Sequence, residues 1–222
     1  DDARLYNAVK AVSDFAVELG INIPTGKDSL SMKQKYPNED VIAPGTVIIS
    51  SVGNCTDINK VVEPLFSKAA GNAIYYIDLS SDSPRLGGSS FAQALNFIGA
   101  NAPDVKDAAY FKKGFNAIQE AVEQGLLSAG HDISAGGMVT TLLEMCFSSN
   151  QVGASIDLSD LGELDVMKML FAENAGLIIQ TEQVEALEEL LDAGEVSFAK
   201  IGQVVEGNTL ELKNGEWSSA MD

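Results

Sequence analysis

Beyond residue 72 the sequence alternates between short runs of β-branched and aliphatic residues and longer segments with helical spacing of apolar residues. The predicted strands cover residues 73–79, 126–134, 154–158, 176–181, 198–205 and 209–213, and the predicted helices cover about 89–99, 104–124, 136–147, 165–171 and 184–194. Helices and strands in such alternation pack as layers, with the apolar stripe of each helix against a sheet. The sequence therefore predicts a layered α/β or α+β domain over about residues 71–213.

The first 70 residues follow a different pattern. Apolar spacing predicts an amphipathic helix over 3–19 with Gly20 at its C-terminal cap, a loop over 33–45, and a β-branched strand, TVIISSVG, over 46–53. One helix and one or two strands cannot bury a core of their own. We therefore expect residues 1–70 to be the tail of a domain that starts further upstream.

The charge balance excludes several classes of partner. Lys and Arg number 14 and Asp and Glu number 32, which gives a formal net charge of −18. Such a surface repels nucleic-acid phosphates and anionic membranes, and no apolar run approaches the roughly 20 residues that span a bilayer. We expect no nucleic acid and no membrane as partners, and any phosphate ligand needs metal ions, backbone N–H groups or isolated cations.

Cysteine and histidine are scarce. Cys55 and Cys146 cannot form a disulfide framework, and the single histidine, His131, excludes a Cys/His zinc cluster. Neither cysteine has the local signature of a nucleophile. This usage fits a reducing, cytoplasmic location.

Two segments have the residue types of phosphate-binding loops. In GHDISAGGM, residues 130–138, a strand leads through a polar turn and two glycines into a helix, so that N–H groups could face an anion and Asp132 could hold Mg²⁺. The alternative is structural: Ser134 caps the helix and the glycines serve backbone conformation. In PTGKDSLSMK, residues 24–33, Lys27 follows Gly26 as in a phosphate clamp, although the spacing is not that of a Walker A loop. On spacing alone, the structural interpretation is favoured for both.

Two further segments are predicted to serve architecture. In PRLGGSSFAQAL, residues 84–95, Ser89 or Ser90 is expected to cap a helix. In LFAENAGLIIQ, residues 170–180, Glu173 and Asn174 end a helix and Gly176 starts a strand.

Taken together, GKDSLSM, LGGSS, GHDISAGGM and LFAENAGLIIQ resemble, in order and spacing, the large-type phosphoribosylformylglycinamidine synthases, and the resemblance extends to DDARLYNAVKAV at the start. It implies an aminoimidazole-ribonucleotide-synthetase (PurM)-like fold in the second synthetase half of a much longer chain. Residues 1–70 would then end an N-terminal, ATP-grasping domain, residues 71–206 would form the C-terminal domain, and residues 207–222 a terminal strand and tail. The family's glutaminase domain, with its cysteine nucleophile, would lie downstream.

The resemblance also implies roles for particular residues. Asp132 matches a Mg²⁺ ligand and Ser134 a nucleotide contact, at a site that in this half holds an auxiliary nucleotide. Gly26, Lys27 and Ser29 would lie near the ATP phosphates and formylglycinamide ribonucleotide, with Lys27 in a catalytic role. Many family members carry an acid where this chain has Ala135.

The implied reaction converts formylglycinamide ribonucleotide, glutamine and ATP to formylglycinamidine ribonucleotide, ADP, phosphate and glutamate through an iminophosphate. The resemblance implies that the present piece is inactive by itself and works with the missing domains of its parent chain. Two alternatives stay open: a non-catalytic scaffolding domain, and a related ATP enzyme of the selenophosphate synthetase or thiamine-phosphate kinase type.

Overall fold

A computed structural model of the protein describes residues 2–27, 32–55, 57–67, 70–147 and 151–222. The chain divides into two compact units, Asp1–Thr56 and Asp57–Asp222. Within the described residues, no helix is both long enough and apolar enough to cross a membrane.

The first unit contains one long helix, α1, at Asp2–Leu19. It ends as predicted at Gly20, whose φ is +77°, and the Gly20 and Ile21 N–H groups donate to the carbonyls of Val17 and Ala16. This is the Schellman arrangement, which satisfies the last carbonyls of a helix. Among the described residues of this unit only Ala16 is buried, so the unit has almost no core of its own.

Two predictions for the first unit are wrong. Residues in the predicted loop over 33–45 form an antiparallel hairpin of β1, Lys33–Lys35, and β2, Asp40–Ile42. The predicted strand over 46–53 is absent although its residues favour extended structure, and Val52 is fully exposed. A strand needs a hydrogen-bonding neighbour, and this segment has none among the described residues.

The second unit is built on a seven-stranded sheet in the order β4-β6-β3-β7-β5-β8-β9. Neighbouring strands are antiparallel except β5 and β8, which are parallel. The strands are β3 Ala73–Asp78, β4 Ala129–Asp132, β5 Val152–Asp157, β6 Gly176–Thr181, β7 Phe198–Glu206, β8 Leu210–Asn214 and β9 Trp217–Met221. This mixed sheet confirms the predicted layered fold.

In the described part of this unit, five α-helices accompany the sheet: α2 Ser90–Ala94, α3 Ala108–Glu123, α4 Gly137–Cys146, α5 Val166–Phe171 and α6 Val184–Ala193. Helix α2 is shorter than the predicted 89–99 because the chain turns at Asn96, whose φ is +59°. The other boundaries lie within a few residues of the predictions.

The core consists of two apolar clusters, one on each face of the sheet. Alternate residues of β3 separate them: Ile74 joins the cluster with α4 and α5, whereas Tyr75 and Ile77 join the cluster with α3 and α6. This period of two is what a sheet covered on both faces requires. Helices cover both faces of the sheet, so the polar motifs lie in the loops at the ends of the strands.

Candidate functional site

Three of the sequence motifs meet at the side chain of Glu173. One oxygen of this carboxylate, Oε1, accepts a hydrogen bond from the Ser90 N–H at 2.7 Å and another from the Gly136 N–H at 2.8 Å. Ser90 belongs to the LGGSS segment and Gly136 to the GHDISAGGM segment. Glu173 therefore joins two loops that are far apart in sequence.

The loop between β4 and α4 has the strand, turn and helix geometry that the sequence predicts. The Ile133 N–H donates to the Gly176 carbonyl at 2.9 Å, and the chain then turns through Gly136 and Gly137, whose φ values are +94° and +74°. These left-handed conformations are readily accessible only to glycine. The prediction that the glycines serve backbone conformation is confirmed.

The alternative role for Ser134 as a helix cap is wrong. Helix α4 begins after Gly136, and no side chain caps it. Ser134 is exposed, and its hydroxyl makes no hydrogen bond to the described residues. Its hydroxyl is therefore available to a ligand near the positive end of α4.

Asp132 lies at the end of β4, and 69% of its side chain is exposed. The neighbouring His131 ring is partly buried: Nδ1 lies 2.8 Å from the Asp132 carbonyl and 3.4 Å from Asp132 Oδ1, and Nε2 lies 3.3 Å from Glu144 Oε2. The described residues contain no group of three or more acidic, histidine or cysteine side chains that could hold a metal. Asp132 offers one exposed carboxylate, which can serve as one of the oxygen ligands of Mg²⁺ when phosphate and water supply the others.

The LGGSS segment is held by its own turn. The Ser89 hydroxyl accepts from the Ala92 N–H at 3.2 Å and donates to the Leu86 carbonyl at 2.7 Å, which confirms the predicted helix cap. Gly87 is required here because a Cβ atom at this position would lie 2.4 Å from the Asn101 carbonyl oxygen. The close approach leaves this loop little freedom.

Asn174 ties the same loop to the sheet. It is buried, its Oδ1 accepts from the Arg85 N–H at 3.1 Å, and its Nδ2 donates to the Ser83 carbonyl at 3.1 Å. The predicted architectural role of Asn174 is thus confirmed. The roles of Glu173 and Asn174 as loop clamps had no local sequence signal, because their partners lie 37 to 91 positions away.

A cavity of about 290 Å³ is lined by residues of GHDISAGGM and LFAENAGLIIQ and by Pro84, at the start of PRLGGSSFAQAL. Its lining includes Ile133, Met138, Asn174 and Asp82. Asp82 accepts from Arg85 at 2.9 Å through Oδ1, whereas Oδ2 is buried without a hydrogen-bond partner among the described residues and lies 3.9 Å from Lys106 Nζ. Sequence reasoning did not indicate this polar cavity.

The remaining predicted site residues lie in the first unit. Gly26 and Lys27 are exposed on a segment without regular secondary structure, and Ser29 lies outside the described residues. No neighbouring atom lies within 4 Å of a Cβ built on Gly26, so glycine is not needed there for packing. The roles assigned to these three residues stay predictions.

The cysteines are not arranged as nucleophiles. Burial raises the pKa of the Cys146 thiol to about 11, which leaves very little thiolate near neutral pH. Cys55 is exposed in the first unit, and neither thiol is bonded in a disulfide.

The structure resembles several solved structures of PurL from Thermotoga maritima. The complex with FGAR superposes with a TM-score of 0.63 over 92% of this chain and 35% of that one, at 18% identity. The complex with AMPPCP gives a TM-score of 0.60 over 94% of this chain and 33% of that one, at 16% identity. At these identities the likeness establishes a shared fold.

The sequence comparisons establish the family. Residues 69–214 match the family described as AIR synthase related protein, C-terminal domain, and residues 1–54 match the FGAR-AT PurM_N-like domain. Because the first match spans more than half of the chain, the protein belongs to the AIR synthase related family.

The similar curated proteins carry one activity in their names. A probable phosphoribosylformylglycinamidine synthase of Arabidopsis thaliana is 39% identical over 216 residues, which cover 96% of this chain and 15% of the relative. The human phosphoribosylformylglycinamidine synthase is 35% identical over 198 residues, covering 87% of this chain and 15% of the relative. The chain thus spans about 15% of the length of these relatives.

Proposed function

We propose that this chain is part of a phosphoribosylformylglycinamidine synthase and contributes ligand-binding loops to its synthetase machinery. The observation that carries the proposal is the 39% identity to the Arabidopsis enzyme across 96% of the chain. The Thermotoga maritima PurL structures, described as complexes with ATP, ADP, FGAR and AMPPCP, support nucleotides and a ribonucleotide substrate as ligands. The missing domains of the parent chain, including a glutaminase domain, would be its protein partners.

The proposed reaction has two steps. The amide oxygen of formylglycinamide ribonucleotide attacks the γ-phosphorus of ATP, which releases ADP and forms an iminophosphate. Ammonia from glutamine then attacks the imino carbon, and the C–O bond to phosphate breaks to leave the amidine. Negative charge builds up on the oxygens of the transferring phosphoryl group. Hydrogen-bond donors and cations fixed beside that group therefore lower the activation barrier.

The roles follow from the chemistry of the groups. Lys27 would stabilise charge on the transferring phosphoryl group, beside Gly26 and Ser29. The Ser134 hydroxyl and the N–H groups of its loop would hold the phosphates of an auxiliary nucleotide. Asp132 would supply one carboxylate to a Mg²⁺ ion whose other ligands come from phosphate, water and groups outside this chain.

The test is steady-state synthesis of the amidine by the full-length protein, with ammonia as nitrogen donor and ATP and formylglycinamide ribonucleotide as substrates. We expect substrate-dependent ADP release from the full-length protein and none from the 222-residue chain alone. A full-length protein that binds neither substrate would favour the scaffolding alternative. ATP turnover with selenide or thiamine phosphate, but without formylglycinamide ribonucleotide, would favour the related ATP enzymes.

A further inference from the structure

Glu173 is a half-buried glutamate whose carboxylate bonds the backbone of two different loops. One oxygen atom accepts two backbone N–H groups, from Ser90 at 2.7 Å and Gly136 at 2.8 Å, and the donors belong to different loops. Hydrogen bonds to an ionised carboxylate are shorter and stronger than those between neutral groups. Loss of this one side chain would remove the hydrogen-bond acceptor of one amide in each loop at the same time.

We propose that Glu173 is a positioning residue: its carboxylate couples the loop at 84–90 to the loop at 133–137, so that the two present one preorganised surface to the ligand. The inference rests on the proposed function, because that function places a ligand at the second loop. Glu173 itself need not touch the ligand. It acts through the two amides that it holds.

The coupling also determines which donors the second loop can offer. Glu173 takes the Gly136 N–H, and the Ser134 carbonyl takes the Gly137 N–H at 3.0 Å. Within the described residues, the N–H groups of Ser134 and Ala135 remain, beside the unbonded Ser134 hydroxyl. These donors lie next to each other in sequence, so a shift of the Gly136 backbone would move them together.

A purely structural role for Glu173 predicts only that its loss destabilises the fold. The positioning role predicts more, because misplaced hydrogen-bond donors weaken ligand binding or turnover even in a folded protein. The positioning role also differs from a role that needs the negative charge of Glu173. Glu173→Gln keeps an oxygen that can accept both N–H groups but removes the charge, whereas Glu173→Ala removes the acceptor.

The experiment compares these two variants in the full-length protein. Hydrogen exchange, measured on peptides that contain Ser90 and Gly136, should be faster at both places in Glu173→Ala by about tenfold or more, and close to wild type in Glu173→Gln. For the auxiliary nucleotide, we expect the amount that remains bound per chain after purification to fall about tenfold or more in Glu173→Ala and to stay close to wild type in Glu173→Gln. Circular dichroism confirms that each variant is folded.

Glu163 provides a matched control. It is also a half-buried glutamate that accepts a backbone N–H, from Asp165 at 2.9 Å, and its other polar partner, Lys168 Nζ at 3.9 Å, belongs to neither loop. Glu163→Ala should leave the amount of retained nucleotide and the exchange of both peptides unchanged.

Three results would overturn the inference. Exchange that rises at only one loop would show that the loops are not coupled. A folded Glu173→Ala variant that retains nucleotide as wild type does would reduce Glu173 to a structural anchor, and an equal loss of nucleotide in Glu173→Gln would assign the effect to charge. Failure of the proposed function would look different, because wild-type protein would then make no amidine, while the exchange measurements would still test the coupling.

Discussion

Gly137 lies directly against the backbone of Leu170, so closely that a Cβ atom on Gly137 would come within 2.7 Å of the Leu170 carbonyl oxygen. The φ of Gly137 is also +74°. Gly137→Ala would therefore combine backbone strain with a clash between the start of α4 and α5. We expect a loss of about 2–4 kcal/mol in the free energy of unfolding, measured by urea titration.

Gly162→Ala separates the two causes. Gly162 has a similar φ, +78°, but no atom lies within 4 Å of its would-be Cβ. This variant should lose only about 1–2 kcal/mol, the cost of the left-handed conformation. Equal losses in the two variants would contradict the claim that close approach, rather than φ alone, requires glycine at 137.

Asp132→Asn should weaken the hold on the auxiliary nucleotide in the full-length protein. The substitution keeps the shape of the side chain but removes the negative charge of the proposed metal ligand. The measurement is the amount of nucleotide that remains per chain after purification.

Glu144→Gln is the matched control for Asp132→Asn, because Glu144 contacts the other nitrogen of the same His131 ring. It should retain nucleotide as wild type does. Full retention by Asp132→Asn would remove Asp132 from the proposed site, and equal loss in both variants would assign the effect to His131.

Lys27→Ala should lower ammonia-dependent kcat in the full-length protein by about 10²–10³, the usual effect of removing one preorganised contact to developing charge. Glutaminase chemistry, which would use a separate cysteine, should survive. The measurement is steady-state turnover with ammonia and, separately, glutamine hydrolysis.

Lys33→Ala is the control for Lys27→Ala. Lys33 is an exposed lysine of the same unit, paired with Asp40 at 3.1 Å on the hairpin. Exposed ion pairs contribute little, about 0–1 kcal/mol, so this variant should keep near-normal turnover. A Lys27→Ala variant with the same near-normal rate would show that Lys27 has no catalytic role.

Asp157 should make stability depend on pH in the acidic range. Hydrogen bonds from the Ser159 hydroxyl and N–H, and then from Lys213, lower the pKa of Asp157 from 3.8 to about 2. Because the pKa is lower in the folded state, the stabilisation is present above the unfolded pKa, near pH 4, and is lost as the pH falls toward 2.

The measurement is the urea midpoint of wild type and Asp157→Asn at pH 6 and pH 3. The difference between them should be larger at pH 6, and it should be small because half of the Asp157 side chain is exposed. Glu211→Gln, on the neighbouring strand β8, controls for the loss of one negative charge. A difference that does not shrink at pH 3 would contradict the assignment.

Local sequence determined most of the elements. Helix α1 and its Gly20 cap, and strand β6 at Gly176–Thr181, agree with the predictions because their signals lie within a few residues of the element itself. The conformational role of the glycine pair at 136 and 137 could also be predicted from the sequence, because a tight turn before a helix favours left-handed backbone. Resemblance in motif order then indicated the family that the comparisons establish.

Tertiary structure decided the remainder. The β-branched segment 46–53 has strand propensity but no strand neighbour among the described residues. Helix α4 begins at Gly137, so Ser134 lies outside the capping position and is exposed. Glu173 gave no local signal, because Ser90 and Gly136 reach it only after the sheet and helices bring distant segments together. Propensity and periodicity depend on near neighbours in the chain, whereas a side chain that bonds the backbone of two distant loops depends on the completed fold.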